Sequence, residues 1–183
     1  MSTTFFGIQI ALVAPPGSPL RREFVEAVRR NGGDQSLVEK RAFHQRVADL
    51  LDTHAHAWAF GTWDYVGPPQ GESEFDSWVA GLEESVEENP GDEVDDDHIV
   101  VTLVYLLDAG SDAESTAGER CDLPVPIFFR RSTFKRLVAT VRMLSFAGVR
   151  ADGAYVVPGE GGPGLSAEEL TGEGWDYLKP LED

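Results

Sequence analysis

Residues 99–107 read Ile99-Val100-Val101-Thr102-Leu103-Val104-Tyr105-Leu106-Leu107, an almost unbroken apolar run rich in β-branched side chains. Such side chains are stiff at χ1, which disfavours helix and suits a pleated strand. The run does not alternate polar with apolar, so it reads as a strand covered on both faces, central in its sheet. It is far shorter than the roughly 18–20 residues that span a bilayer, and no other stretch of the chain reaches that length. A central strand needs neighbours and a layer on each side.

Upstream, Phe5 to Val13 is a second apolar strand, stopped by Pro15-Pro16-Gly17. The short apolar N-terminal stretch has no basic segment before it, so it reads as strand rather than signal peptide. Ser18 offers a helix N-cap with Pro19 at the first helical position, and Leu20, Phe24, Ala27 and Val28 recur at helical spacing. Ser36 with Glu39 fits a capping box for a second helix, whose apolar stripe is Phe43, Val47, Leu50 and Leu51. In Trp58 to Val66, Trp58 and Phe60 share one parity while Trp63 and Tyr65 share the other. A strand with a bulge near Gly61 reconciles the two. After Gly67 to Gly71 a third helix follows, with Phe75, Val79, Leu82 and Val86 inward and Glu83, Glu84, Glu87 and Glu88 outward.

Downstream of the central strand, the spacing predicts a helix from Ser132 to Phe146 that ends before Gly148. A short strand over Ala154 to Val157 and a last helix capped by Ser166 and Glu169 complete the chain. Polar residues 89–98 and 108–122 read as mobile loops. The expectation is one acidic α+β domain over residues 1–183, with a four-stranded mixed sheet and packed helices in the order β-α-α-β-α-β-α-β-α.

Charge narrows the function. The 183 residues carry a formal −17, yet no Lys or Arg lies between Arg46 and Arg120, where 19 Asp and Glu are found. Residues 1–46 hold 7 basic and 4 acidic groups, and residues 120–183 hold 8 and 9, so the charge belongs to the middle third. Such a field repels nucleic acid and anionic membranes and attracts cations or a basic protein surface. The single cysteine, Cys121, excludes an internal disulfide framework, and a cytoplasmic, soluble protein is the default expectation. The basic segment Arg130, Arg131, Lys135, Arg136 and Arg142 reads as an internal complement to the acidic third.

His54 and His56, with Asp52 upstream, are the nearest approach to a metal centre. In an extended chain both rings of His-x-His share a face, as a divalent zinc or iron pair requires. In a helix they diverge by about 200° of rotation. The acidic string from Asp92 to Asp97 lacks the ligand order of a calcium loop. Gly159 to Gly164 matches a dinucleotide-binding pattern, but only 19 residues follow it, too few for that unit. Signatures of serine hydrolases, zinc proteases and phosphate-binding loops are absent.

The C-terminal half resembles a family known from its sequence motifs. The strand Val100-Val101-Thr102-Leu103-Val104, the strand end Val156-Val157-Pro158, Leu165-Ser166-Ala167-Glu168-Glu169-Leu170 and Asp176-Tyr177-Leu178-Lys179-Pro180-Leu181 follow in the same succession. This is similar to an uncharacterised cyanobacterial and plastid domain family that includes the plant fluctuating-light acclimation proteins. In that family a V-V-T-L strand precedes W-T-P, L-S-x-x-E-L and a terminal D-Y-P-x-L-x-P-L. Here Val156 stands where the family has tryptophan, and Leu50-Leu51-Asp52-Thr53-His54-Ala55 replaces its L-L-R-H-P-D stretch. The resemblance implies a regulatory or accessory role and transfers no catalytic residue. The family's membrane spans have no counterpart here.

The leading expectation is therefore a non-enzymatic regulatory or protein-interaction domain. Its partner is an unidentified, basic protein met by Glu83, Glu84, Glu87 and Glu88 or by the aromatic Trp58 and Trp63. The alternative is a metal-binding protein or metal-dependent enzyme holding a divalent ion on His54, His56 and Asp52. No organic cofactor, nucleic acid or integral membrane segment is expected.

Overall fold

The computed structural model describes residues 2–29, 35–87, 97–159 and 164–183, for 83–87 the backbone only. Strand β1 (Thr3–Val13) leads into helices α1 (Pro19–Arg29) and α2 (Leu37–Thr53), then β2 (Trp58–Val66) and α3 (Gly71–Glu87). Strand β3 (His98–Asp108), α4 (Asp112–Cys121), α5 (Arg131–Met143), β4 (Val149–Val157) and the two-residue β5 (Lys179–Pro180) complete it. Residues 89–96, part of one expected mobile loop, and 160–163, within the glycine-rich run, lie outside the described residues.

Among the described residues the strands form one five-stranded sheet in the order β4-β3-β1-β2-β5, with every neighbouring pair antiparallel. This corrects the expected four-stranded mixed sheet. The added strand, β5, pairs only Lys179 and Pro180 with the edge of β2 and is too short to carry a periodic signature. Strand β3 is nearly central, between β1 and β4, and its residues from His98 to Leu107 are all buried.

Register separates the two faces. Phe6, Ile8, Ile10 and Leu12 of β1 lie opposite Tyr105, Leu103, Val101 and Ile99 of β3, and together face the main core. Helices α1, α2, α4 and α5 supply Phe24, Phe43, Val47, Ala117, Phe134 and Leu137 to that core. The intervening residues face the other way, where Ala11, Val100 and Val157 meet Leu82 of α3 and Leu165, Leu170, Trp175 and Leu178 of the C-terminal segment. Burying each large apolar side chain contributes roughly 1.5–3 kcal/mol. Two covered faces account for the apolar character of β3.

The bulge expected near Gly61 is present and falls between Trp58 and Phe60: Ala11 pairs with Phe60, and Leu12 with Trp58. The extra residue puts Trp58 on the same face as Trp63 and Tyr65, while Phe60 packs on the other side.

Two further expectations are corrected. Residues 108–122 are not a loop throughout, because Asp112–Cys121 forms α4. Ser111 caps it by accepting from the Glu114 N–H, and Ala113, Ala117 and Cys121 form a buried stripe four residues apart. The final helix expected after Ser166 is only a 3₁₀ turn over Glu169–Thr171, although the Ser166–Glu169 reciprocal bonds are made at 3.1 and 2.7 Å. The caps at Ser18 and Ser36 agree with the sequence reading.

Candidate functional site

Between α3 and its face of the sheet lies a cleft of about 350 Å³. Its floor is Gln9 of β1 with Thr62 and Asp64 of β2, adjacent across the β1–β2 ladder. Its wall is Glu74, Ser77 and Trp78 of α3, and Tyr177 of the C-terminal segment stands at its mouth, 45% exposed. The local fold explains why α3 lies here. Phe75 and Trp78 pack on Phe5, with ring centroids 6.3 and 5.2 Å apart. Gly7 presents no side chain to α3; a Cβ there would come within 3.0 Å of the Trp78 ring.

The lining has one electrostatic sign. Among the described residues around it are two carboxylates, two hydroxyls, an amide and a phenol, and none that is basic. Burial and the neighbouring Glu74 carboxylate hold the Asp64 carboxyl above its ordinary range, with the Trp78 indole acting the other way. Burial likewise raises the Tyr177 phenol; the Gln9 amide opposes that shift and the Asp176 carboxylate adds to it. Gln9 is 2% exposed, and its amide nitrogen donates to Thr102 Oγ1 at 2.9 Å, but among the described residues its Oε1 has no partner. Buried acceptors are normally met, so an unmet one lining a cleft marks a place for a donor. The chemistry of this lining complements a donor-rich cation.

The residues singled out by sequence fall elsewhere. The segment at His54 and His56 is neither extended nor a continued α-helix. His54 ends α2, and a 3₁₀ turn covers Ala55–Ala57, leaving the two rings 6.0 Å apart. His54 Nε2 meets Glu23 Oε2 at 3.2 Å, in an open groove beside the start of α1. Asp52 is not with them; it accepts from Arg142 at 3.1 Å, as Asp49 does at 2.7 Å. Among the described residues no group of three or more His, Cys, Asp or Glu is arranged to hold a metal ion.

Trp58, proposed from sequence as a partner contact, is a core residue at 1% exposure, because the bulge turns it inward. Trp63 is half-buried and committed, its indole donating to the Phe128 carbonyl at 3.1 Å. Glu83, Glu84 and Glu87 fall in α3 by backbone; their side chains, and Glu88 entirely, lie outside the described residues. The basic segment is used internally in part. Arg131 donates to the Ala55 and Trp58 carbonyls, Arg136 to the Glu119 carbonyl, and Arg142 to Asp49 and Asp52. Burial pushes the Cys121 thiol up to about 12, with Arg136 opposing, so it is not a ready nucleophile.

Another polar cluster lies on the opposite face. Tyr105 Oη and His44 Nδ1 share a hydrogen bond at 2.8 Å, and His44 Nε2 and Asp152 Oδ2 share one at 2.9 Å, while Lys40 donates to the other oxygen of the same carboxylate at 2.7 Å. The order resembles a proton relay, but Tyr105 and His44 are each 0% exposed, closed to any substrate. It ties α2 to the β3–β4 edge of the sheet.

Gln9, Asp64, Glu74 and Tyr177 form no motif in the sequence. One signal was available: Gln9 is the lone polar side chain between Phe5 and Val13. Comparison with known proteins finds no family model, no curated protein and no solved structure that matches the chain.

Proposed function

We propose that the chain is a non-enzymatic protein-interaction domain whose site is the cleft under α3, and that it receives a positively charged side chain from a basic partner. The observation that carries this is the pairing of Asp64 and Glu74, with no basic residue among the described lining, beside the aromatic rings of Trp78 and Tyr177. A cation there neutralises two mutually repelling carboxylates and gains the face of an aromatic ring. The excess of acidic groups in the middle third draws such a partner in at long range. The likeness of the C-terminal motifs to the light-acclimation family points the same way, to an accessory rather than a catalytic role.

The test is calorimetric titration, at moderate salt, with a short peptide of mixed Arg, Lys, Ser and Gly and with its Glu-substituted counterpart. The basic peptide binds and the acidic one does not, and the double variant Asp64→Asn, Glu74→Gln loses the binding while remaining folded. Retention of full affinity in that variant would refute the cleft as the site.

A further inference from the structure

We infer that the group received by this cleft is a guanidinium, presented as an arginine side chain on the partner's surface. Asp64 and Glu74 would be its charge partners, and Gln9 Oε1 its innermost acceptor. The inference rests on the cation-binding reading above and narrows it.

Gln9 supplies the observation independent of charge. It is 2% exposed on the floor of the cleft, and among the described residues its Oε1 has no donor. An ammonium could satisfy the carboxylates alone as a point charge. It is compact and strongly hydrated, so reaching a buried amide oxygen as well would strip most of its water. A guanidinium carries five N–H donors in a rigid plane and is weakly hydrated. One such plane can bond Asp64 along one edge and turn another N–H to Gln9. These two residues stand on adjacent strands, with Gln9 opposite Thr62, two residues from Asp64.

The walls support the same choice. A planar cation stacks on aromatic rings, and Trp78 and Tyr177 both line the cleft. Thr62 and Ser77 add hydroxyl acceptors for the remaining N–H groups. A partner's side chain suits the site better than a free metabolite, because among the described residues the lining offers no basic group to hold a free amino acid's carboxylate.

The experiment uses the full chain with acetyl-Gly-Arg-Gly-amide, acetyl-Gly-Lys-Gly-amide and free arginine, each titrated at neutral pH and moderate salt. The arginine peptide binds about tenfold tighter than the lysine peptide, the gain expected of a charge-assisted forked pair, and tighter than free arginine. Gln9→Met lowers the arginine affinity and leaves the lysine affinity unchanged. Asp64→Asn weakens both peptides; Glu74→Gln, on the outer wall, serves if that variant fails to fold. Equal affinity for the two peptides, lost together in Asp64→Asn, would overturn the guanidinium assignment and leave the cation reading intact. Binding of neither peptide, or binding unaltered by both carboxylate variants, would overturn both. Free arginine binding as tightly as its peptide would overturn the protein partner.

Discussion

Asp64 and Asp152 are carboxylates on strands β2 and β4, and burial acts on both to raise the pKa. Their neighbours send them opposite ways. Glu74 adds to the burial of Asp64, whereas at Asp152 the hydrogen bonds and charges of His44 and Lys40 outweigh burial and hold the carboxyl below its ordinary value. The folded state therefore binds a proton more tightly at Asp64 than the unfolded chain does, and stability falls as pH rises from its ordinary value through the raised one. Asp64→Asn should raise the melting temperature at pH 7 and change little below the unperturbed carboxylate pKa. Asp152 works in reverse: its contribution is present above the unfolded pKa and is lost as pH falls through the depressed folded one. Asp152→Ala should cost about 2–3 kcal/mol at neutral pH, a drop of about 5–10 °C, with the gap closing in acid. Thermal unfolding across pH measures both, and shifts of the same sign at pH 7 would contradict this account. A residue that lowers stability while lining a cleft is placed as a binding group would be, whereas Asp152 is placed as a structural one. Neither role was legible in sequence, because Asp64 meets Glu74 and Asp152 meets His44 only after distant elements pack.

At the scale of elements, the sequence is most legible where local chemistry decides. Pro19 after Ser18 and the Ser36–Glu39 box mark helix starts through adjacent residues, and the apolar runs of β1 and β3 mark their strands, which then pair with each other. It is least legible where packing decides. Helix α4 buries only Ala113, Ala117 and Cys121, a stripe of small side chains in a polar run, so hydrophobic periodicity barely registers. Its start rests on the Ser111 cap, reinforced by Glu114, which accepts from the Gly110 N–H and the Thr4 hydroxyl at 2.6 Å each. Ser111→Ala should therefore cost about 1 kcal/mol, or about 2–4 °C in melting temperature. An unchanged melting temperature would show that the cap does not hold the helix. Strand β5 and the Trp58 inversion escape sequence for a related reason, since one is two residues long and the other depends on a bulge whose position is set by β1.

At the scale of the whole molecule, the sheet divides the protein by role. One face carries four helices, most of the apolar core and the buried Tyr105–His44–Asp152 chain; the other carries α3 and the C-terminal segment with the cleft between them. Among the described residues no helix is long and apolar enough to cross a membrane. The site gathers residues from β1, β2, α3 and the segment after β4, so it leaves no local motif. What the sequence did show was the sign and place of the chain's own charge: −17 in all, with the acidic groups concentrated in one third. The most direct test is to follow the tryptophan indole N–H signals by NMR during titration with the arginine peptide. Binding in the cleft moves the Trp78 signal and leaves those of Trp58 and Trp63, on the other face of the sheet, in place. Movement of Trp58 or Trp63 with Trp78 unchanged, or no movement of any signal up to saturating peptide, would contradict it.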